Sequence, residues 1–367
     1  MNNRIERLIN KLKENNINNI LITDTYAIYY FCKKWYHPEE RLVMLNVSSD
    51  GRVILYVNKL FPTEEFGPIL KWYQDTDDPL SLVLEDIKGN VGVDKNLCAK
   101  FLLPLMERSD CKFILASDLI DDLRAIKDEE EINKMIKSSQ VNDMAMKMMK
   151  DKLKEGISEK DMALFLKESY KALGSSEFSF DPIVAYGANG ADPHHTTDES
   201  LPKDGDSIVV DMGCILDDYC SDMTRTFFYK SVSPKAKEVY NTVLAANLAG
   251  IAAVKAGRPV SDVDKAARDV IEKAGYGKYF THRTGHFIGL ETHEKGDVSF
   301  TNDRLMEVGN IFSVEPGIYL PGEIGVRIED LVLVTEDGCK VLNSYDKELT
   351  IICLLYTSDA ADDSTEV

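Results

Sequence analysis

Ile208-Val209-Val210-Asp211-Met212-Gly213-Cys214-Ile215-Leu216-Asp217-Asp218-Tyr219-Cys220-Ser221-Asp222-Met223-Thr224-Arg225-Thr226-Phe227 reads as two apolar arms folded about the turn Leu216-Asp217-Asp218. Paired residues of an antiparallel hairpin are symmetric about its turn, and Asp211 and Asp222 are symmetric about this one. The two aspartates are therefore expected to face each other, with Cβ atoms about 4.5–5.5 Å apart. A second stretch repeats the design: Ile311-Phe312-Ser313-Val314-Glu315-Pro316-Gly317-Ile318-Tyr319-Leu320-Pro321-Gly322-Glu323-Ile324-Gly325-Val326-Arg327-Ile328-Glu329-Asp330 turns at Pro321-Gly322. Here Glu315 and Glu329 are the symmetric acids, centred on Gly322.

The duplication extends upstream. Lys154-Glu155-Gly156-Ile157-Ser158-Glu159-Lys160-Asp161 is echoed by Lys255-Ala256-Gly257-Arg258-Pro259-Val260-Ser261-Asp262-Val263-Asp264, and each continues into a helix pattern ending in glycine, Gly174 and Gly275. A glycine followed by a serine-capped helix is common, so the hairpins carry the weight. Opposed carboxylates inside apolar strands repel and lose hydration. Four of them on one interior face raise each other's pKa unless cations lie between them. Hard divalent cations accept carboxylate oxygen and imidazole nitrogen. Any one of these acids alone could be an exposed strand residue of an acidic protein; two turn-centred pairs in a repeat argue otherwise. Five of the six histidines fall in two segments, Asp192-Pro193-His194-His195-Thr196 and His282-Arg283-Thr284-Gly285-His286-Phe287-Ile288-Gly289-Leu290-Glu291-Thr292-His293-Glu294, one before each hairpin.

Asp211, Asp222, His286, Glu315 and Glu329, in order and in these contexts, resemble the ligand set of the dinuclear "pita-bread" metallopeptidases. The resemblance covers residues 124–352. It implies an α+β pita-bread catalytic domain with an internal pseudo-two-fold repeat. Residues 1–123 alternate helix and strand patterns and are similar to the α/β N-terminal domain of the aminopeptidase P and prolidase branch. That branch acts on Xaa-Pro peptides, so the resemblance implies a hydrolase of the bond between an N-terminal residue and a following proline. Asp211 would chelate one metal, Asp222 and Glu329 would bridge two, and His286 and Glu315 would complete the second. The metals implied are divalent, manganese first, with cobalt or zinc as the alternatives; a metal pair acidifies a shared water. Glu315 would move its proton. His194 and His293 would contact substrate or the tetrahedral intermediate. Arg327 would share the face of Glu329, to fix that carboxylate or meet a substrate carboxylate. Phe287 stands where many relatives have a small residue, which implies a narrower pocket. No residue clearly matches the extra arginine of dedicated prolidases; Arg304 is the nearest. A homodimer is also implied. Two other readings of the fold are a creatinase-like, metal-independent amidinohydrolase and a non-catalytic binding protein; the full ligand set counts against both.

Within residues 1–123, Arg4–Asn15 reads as an amphipathic helix and Asn19–Ile22 as a buried strand. Leu42–Val47 and Val53–Val57 form a hairpin about Ser48-Ser49-Asp50-Gly51. At the boundary, Asp128 and Glu131 form a capping-box pattern, and Ile132, Ile136, Met144 and Met148 are expected on one helical face. The chain has 43 Lys+Arg against 62 Asp+Glu, a net charge of −19, which disfavours nucleic acid or an anionic membrane as a partner. It has no apolar run of membrane-spanning length and no signal-peptide pattern at its start, so a cytoplasmic location is expected. Seven cysteines without a C-x-x-C pair argue for thiols rather than a disulfide framework. Residues 353–367 resemble translated sequencing-adapter read-through and are acidic and poor in large apolar groups, hence expected to be disordered or foreign to the protein.

Overall fold

The computed structural model describes residues 3–175 and 177–353. The tail expected to be disordered thus lies, after Cys353, outside the described residues. The chain divides into two compact units, Met1–Arg124 and Ala125–Val367.

In the first unit, strands β1 (Asn19–Ile22), β2 (Met44–Ser48), β3 (Val53–Asn58), β4 (Ile69–Tyr73), β5 (Asn90–Val93) and β6 (Lys112–Leu115) form one mixed sheet in the order β4-β3-β2-β1-β5-β6. Helices α1 (Asn3–Glu14), α2 (Thr25–Cys32), α3 (Pro79–Leu84), α4 (Ala99–Glu107) and α5 (Ser117–Ala125) alternate with the strands. The hairpin read from the sequence is present: Val47 pairs with Val53, and Gly51 turns the chain with φ of 97°.

In the second unit, α6 (Glu129–Lys152) and α7 (Glu159–Ala172) pack on β8 (Ile183–Tyr186), β9 (Ser207–Met212) and β12 (Met223–Tyr229), with β7 (Glu177–Phe178), β10 (Cys214–Leu216) and β11 (Tyr219–Cys220) as a small side sheet. The second half repeats this with α8 (Pro234–Ala253) and α9 (Ser261–Lys273), followed by β13 (Gly285–Phe287), β14 (Glu294–Val298), β15 (Ile311–Val314), β16 (Gly317–Leu320), β17 (Ile324–Arg327), β18 (Asp330–Val334) and β19 (Cys339–Val341). A last strand, β20 (Ile351–Ile352), pairs with β12.

Helix α6 starts at a complete capping box between Asp128 and Glu131. Its buried face differs from the expected one: Met135, Ser138, Asn142, Ala145 and Met149 point inward, while Met144 is 48% exposed. Small and polar side chains win the inner face because α6 lies close against β9 and β10, where Ser138 Oγ donates to the Cys214 carbonyl at 3.1 Å and Asn142 Nδ2 to the Met212 carbonyl at 2.9 Å. Ser158 caps α7 as the repeat suggested, but its counterpart Ser261 already lies inside α9, and Val260 holds the cap position without a side-chain bond.

The hairpin registers place the acids. Leu216 pairs with Tyr219, Met212 with Met223 and Asp211 with Thr224. The turn is the two-residue pair Asp217-Asp218, both at positive φ (49° and 72°), as a type I′ turn requires. The direct opposition of Asp211 and Asp222 is thereby corrected. Continuing the register sets Gly213 opposite Asp222, so the two aspartates are diagonal neighbours. They still share a face, because a shift of two residues preserves it. Gly213 is required there: a Cβ would lie 2.1 Å from the Ser221 carbonyl oxygen. In the second hairpin, Val314 pairs with Asp330 and Gly317 with Arg327, in one register centred on Gly322. Glu315 and Glu329 fall opposite each other in the gap between those ladders, as the sequence symmetry indicated. In both halves the acids sit at or beside interruptions of the strands, where the backbone leaves one sheet for another.

Candidate metal centre

Asp211, Asp222, His286, Glu315 and Glu329, together with His194, His293 and Arg327, line one cavity of about 960 Å³. Asp222, His286 and Glu329 are buried and bring their ligand atoms within 4.8 Å of one another. His286 Nε2 lies 3.5 Å from Asp222 Oδ2 and 3.7 Å from Glu315 Oε1. His286 rises from a close-packed strand: its backbone N–H donates to Ser313 Oγ at 3.0 Å, and a Cβ on the preceding Gly285 would meet the Ser313 carbonyl oxygen at 1.9 Å.

The carboxylates are incompletely satisfied. Asp211 Oδ1, Asp222 Oδ1 and Glu329 Oε1 are buried and make no hydrogen bond. Their sister oxygens differ: Thr224 Oγ1 donates to Glu329 Oε2 at 2.7 Å, and Arg327 Nη2 donates to Asp211 Oδ2 at 2.6 Å. Burial raises the Asp222 and Glu329 pKa values well above the carboxylate range, with Asp211 adding to the first and Asp222, Glu315 and Asp211 to the second, and pushes Glu315 up to about 7. Burial lowers His286, leaving its imidazole neutral and able to ligate. Orphaned anionic oxygens converging on a neutral imidazole fit hard divalent cations.

Arg327 differs from the expected arrangement in its partner. It fixes Asp211 rather than Glu329, while Nε donates to Thr224 Oγ1 at 3.1 Å and Nη1 to the Tyr319 hydroxyl at 2.9 Å. Thr224, opposite Asp211, therefore touches both halves of the acid set. Tyr319 in turn lies 2.8 Å from His282 Nε2. His282 also lines the cavity, and burial first, then Arg327, lowers its pKa to about 4. Sequence reasoning assigned no role to His282, Tyr319 or Thr224; the place of His282 in the histidine-rich segment was the one available signal.

His293 stacks edge-on to His286 with ring centroids 4.1 Å apart, and burial first, with His286 and Arg283 beside it, lowers its pKa to about 4. Of the two adjacent histidines, His195 is held by Glu159, with Nε2 2.7 Å from Oε2, whereas His194 is exposed on the cavity wall. Phe287 does not narrow the pocket. It is fully buried in the core against Phe312, because strand alternation turns it away from His286. Arg304 pairs with Glu307 and is absent from the cavity lining; besides Arg327, the cations found there are Lys160, Lys167 and Arg283.

The profile of Metallopeptidase family M24 matches residues 133–336, and that of the Creatinase/Prolidase N-terminal domain matches residues 4–126. An uncharacterized peptidase of Staphylococcus aureus (strain MSSA476) is 37% identical over 349 residues, covering 94% of this chain and 99% of its own. Among solved structures, the Xaa-Pro dipeptidase from Bacillus anthracis superposes with a TM-score of 0.88 at 33% identity, over 95% of this chain and 99% of that one. The recombinant prolidase from Thermococcus sibiricus gives 0.90 at 32% identity, over 96% and 99%.

Proposed function

The chain belongs to metallopeptidase family M24, and on that premise we propose that it hydrolyses the bond between an N-terminal residue and a following proline. The observation that carries this reading is the set of orphaned buried oxygens on Asp211, Asp222 and Glu329 beside neutral His286. A metal-independent amidinohydrolase would have no use for them.

In this reading Asp211, Asp222, His286, Glu315 and Glu329 hold two divalent ions, manganese first and cobalt or zinc as alternatives. When bound, the ions supply Lewis acidity toward the scissile carbonyl and a water acidified toward neutrality. The protein does the rest. Glu315 takes the proton of the attacking water and passes it to the leaving proline nitrogen. His194 and His293 offer imidazole N–H groups to the substrate carbonyl as negative charge develops there. Arg327, braced by Tyr319, fixes Asp211. Lys160, Lys167 and Arg283 on the cavity wall suit a substrate carboxylate, which favours short peptides. The seven cysteines are all thiols, consistent with a reducing, cytoplasmic setting, and the resemblance implies a homodimer. Among the described residues no helix is long and apolar enough to cross a membrane.

The deciding experiment assays Xaa-Pro dipeptides, Xaa-Pro-Yaa tripeptides and non-proline dipeptides side by side with Mn²⁺. Turnover confined to the proline substrates is expected. Inactivity on both proline classes with turnover of another amide would overturn the substrate assignment.

A further inference from the structure

Glu159 and Asp264 are each completely buried, one in the first turn of α7 and the other in the first turn of α9. They are 105 residues apart, the same separation as Asn142 and Asn247. Those two amides are also fully buried, and donate to the Met212 and Val314 carbonyls at 2.9 Å each, beside Asp211 and Glu315. The duplication therefore includes polar side chains behind the acids.

Each carboxylate grips the irregular segment that carries its half's histidines. Glu159 Oε1 accepts from the Tyr186 N–H at 2.8 Å and Asn189 Nδ2 at 2.9 Å; Oε2 is 2.7 Å from His195 Nε2 and accepts from the Asp198 N–H at 3.1 Å. These contacts bracket His194 on both sides. Asp264 Oδ1 accepts from the Thr284 hydroxyl at 2.6 Å and its N–H at 3.2 Å, and Arg268 makes a bidentate pair with the same carboxylate. Arg268 also donates to the carbonyls of Phe280 and His282, and the Thr284 carbonyl accepts from the Glu315 N–H at 2.7 Å. Asp264 thus clamps the run leading into His286 and, through Thr284, the backbone of Glu315. A buried carboxylate is costly unless donors surround it, so each segment is held in the one conformation that supplies them.

We propose that Glu159 and Asp264 are positioning residues, one in each half of the catalytic unit, with different tasks. Glu159 sets His194 toward substrate, and Asp264 sets His286 and Glu315 toward metal. The inference rests on the roles given above to His194, His286 and Glu315.

The test compares Glu159→Gln and Asp264→Asn with His194→Ala and His286→Ala, measuring kcat and KM on an Xaa-Pro dipeptide at saturating Mn²⁺ and Mn²⁺ affinity by calorimetry. Glu159→Gln is expected to raise KM about 10-fold with Mn²⁺ affinity within two-fold of wild type. Asp264→Asn should weaken Mn²⁺ binding by about 10–100-fold with KM within two-fold, the range typical of residues that orient metal ligands. If either substitution prevents folding, His195→Phe and Thr284→Val remove single contacts of each clamp and should show the same split on a smaller scale. Thermal melts with both constants unchanged, or the two constants moving together in both variants, would overturn the proposal. If His194→Ala leaves KM unchanged, or His286→Ala leaves Mn²⁺ binding unchanged, the underlying site assignment fails instead.

Discussion

Among the described residues, two places in the catalytic unit gather a carboxylate, a histidine and a further acid closely enough to hold a metal ion: Glu159 with His195 and Asp198, and Asp222 with His286 and Glu329. Their chemistry differs. All the oxygens of Glu159 meet donors, so it is a finished hydrogen-bond hub. Asp222 and Glu329 each keep a buried oxygen with nothing to accept from. Proximity alone does not define a cation site; unsatisfied anionic oxygens do, because a protein leaves buried acceptors open only where something else completes them.

The contrast breaks most sharply at Asp222. Asp222→Asn should cost about 1,000-fold or more in kcat/KM on an Xaa-Pro dipeptide, equivalent to several kcal/mol of transition-state stabilisation. Near-wild-type turnover would refute the metal reading. A smaller loss is expected from Arg327→Met, which leaves Asp211 without its guanidinium partner: Mn²⁺ affinity by calorimetry should fall about 10–100-fold.

Protonation gives a milder effect. Burial raises the folded-state pKa of Glu315 from 4.5 to about 7, and lifts Asp222 and Glu329 well above their ordinary values. A raised folded pKa contributes stability that is present at low pH and lost as pH rises through the folded value. His286, His282 and His293 have lowered values and oppose this slope by about 0.4 kcal/mol each between pH 6.5 and 8, because an unfolded imidazole is still half protonated at pH 6.5; the three raised carboxyls outweigh them. Chelator-treated protein should therefore melt lower at pH 8 than at pH 6.5, by an amount on the order of 1 kcal/mol in stability, and Mn²⁺ should abolish the difference. A metal-free protein equally stable at both values would show that the acids are better solvated than their burial indicates. The smallest effect belongs to Asp198→Ala. Its backbone N–H, not its carboxylate, serves Glu159, so Mn²⁺ stoichiometry should be unchanged, and stability should drop by less than about 1 kcal/mol.

Most of the candidate site was legible because its signal is local: acids symmetric about a turn and histidines clustered before each hairpin. The register of the second hairpin followed from Pro321-Gly322, a turn whose centre the sequence marks clearly. The first was misread by one position at its turn, since Leu216-Asp217-Asp218 does not announce that only the two aspartates adopt positive φ. What stayed hidden depends on contacts between distant residues. Thr224 reaches Glu329 and Arg327 across more than one hundred residues, and Tyr319 links Arg327 to His282. Neither has a spacing that marks it. The inward face of α6 was missed because Ser138, Asn142 and Ala145 interrupt the methionines that share it, which breaks the apolar periodicity.

The two-residue turn at Asp217-Asp218 also sets what mutations the gene can absorb. Lengthening either arm of that hairpin by one residue would swing one aspartate to the opposite side of the ribbon and dismantle the centre. Adding two residues would slide the pairing yet keep both carboxylates on their present side. A slide of two residues nevertheless carries one carboxylate about 7 Å along the strand. That is further than the 4.8 Å that spans the ligand atoms of Asp222, His286 and Glu329, so insertions in either arm should be lost to selection, whereas Asp217 and Asp218 lie outside the cavity lining.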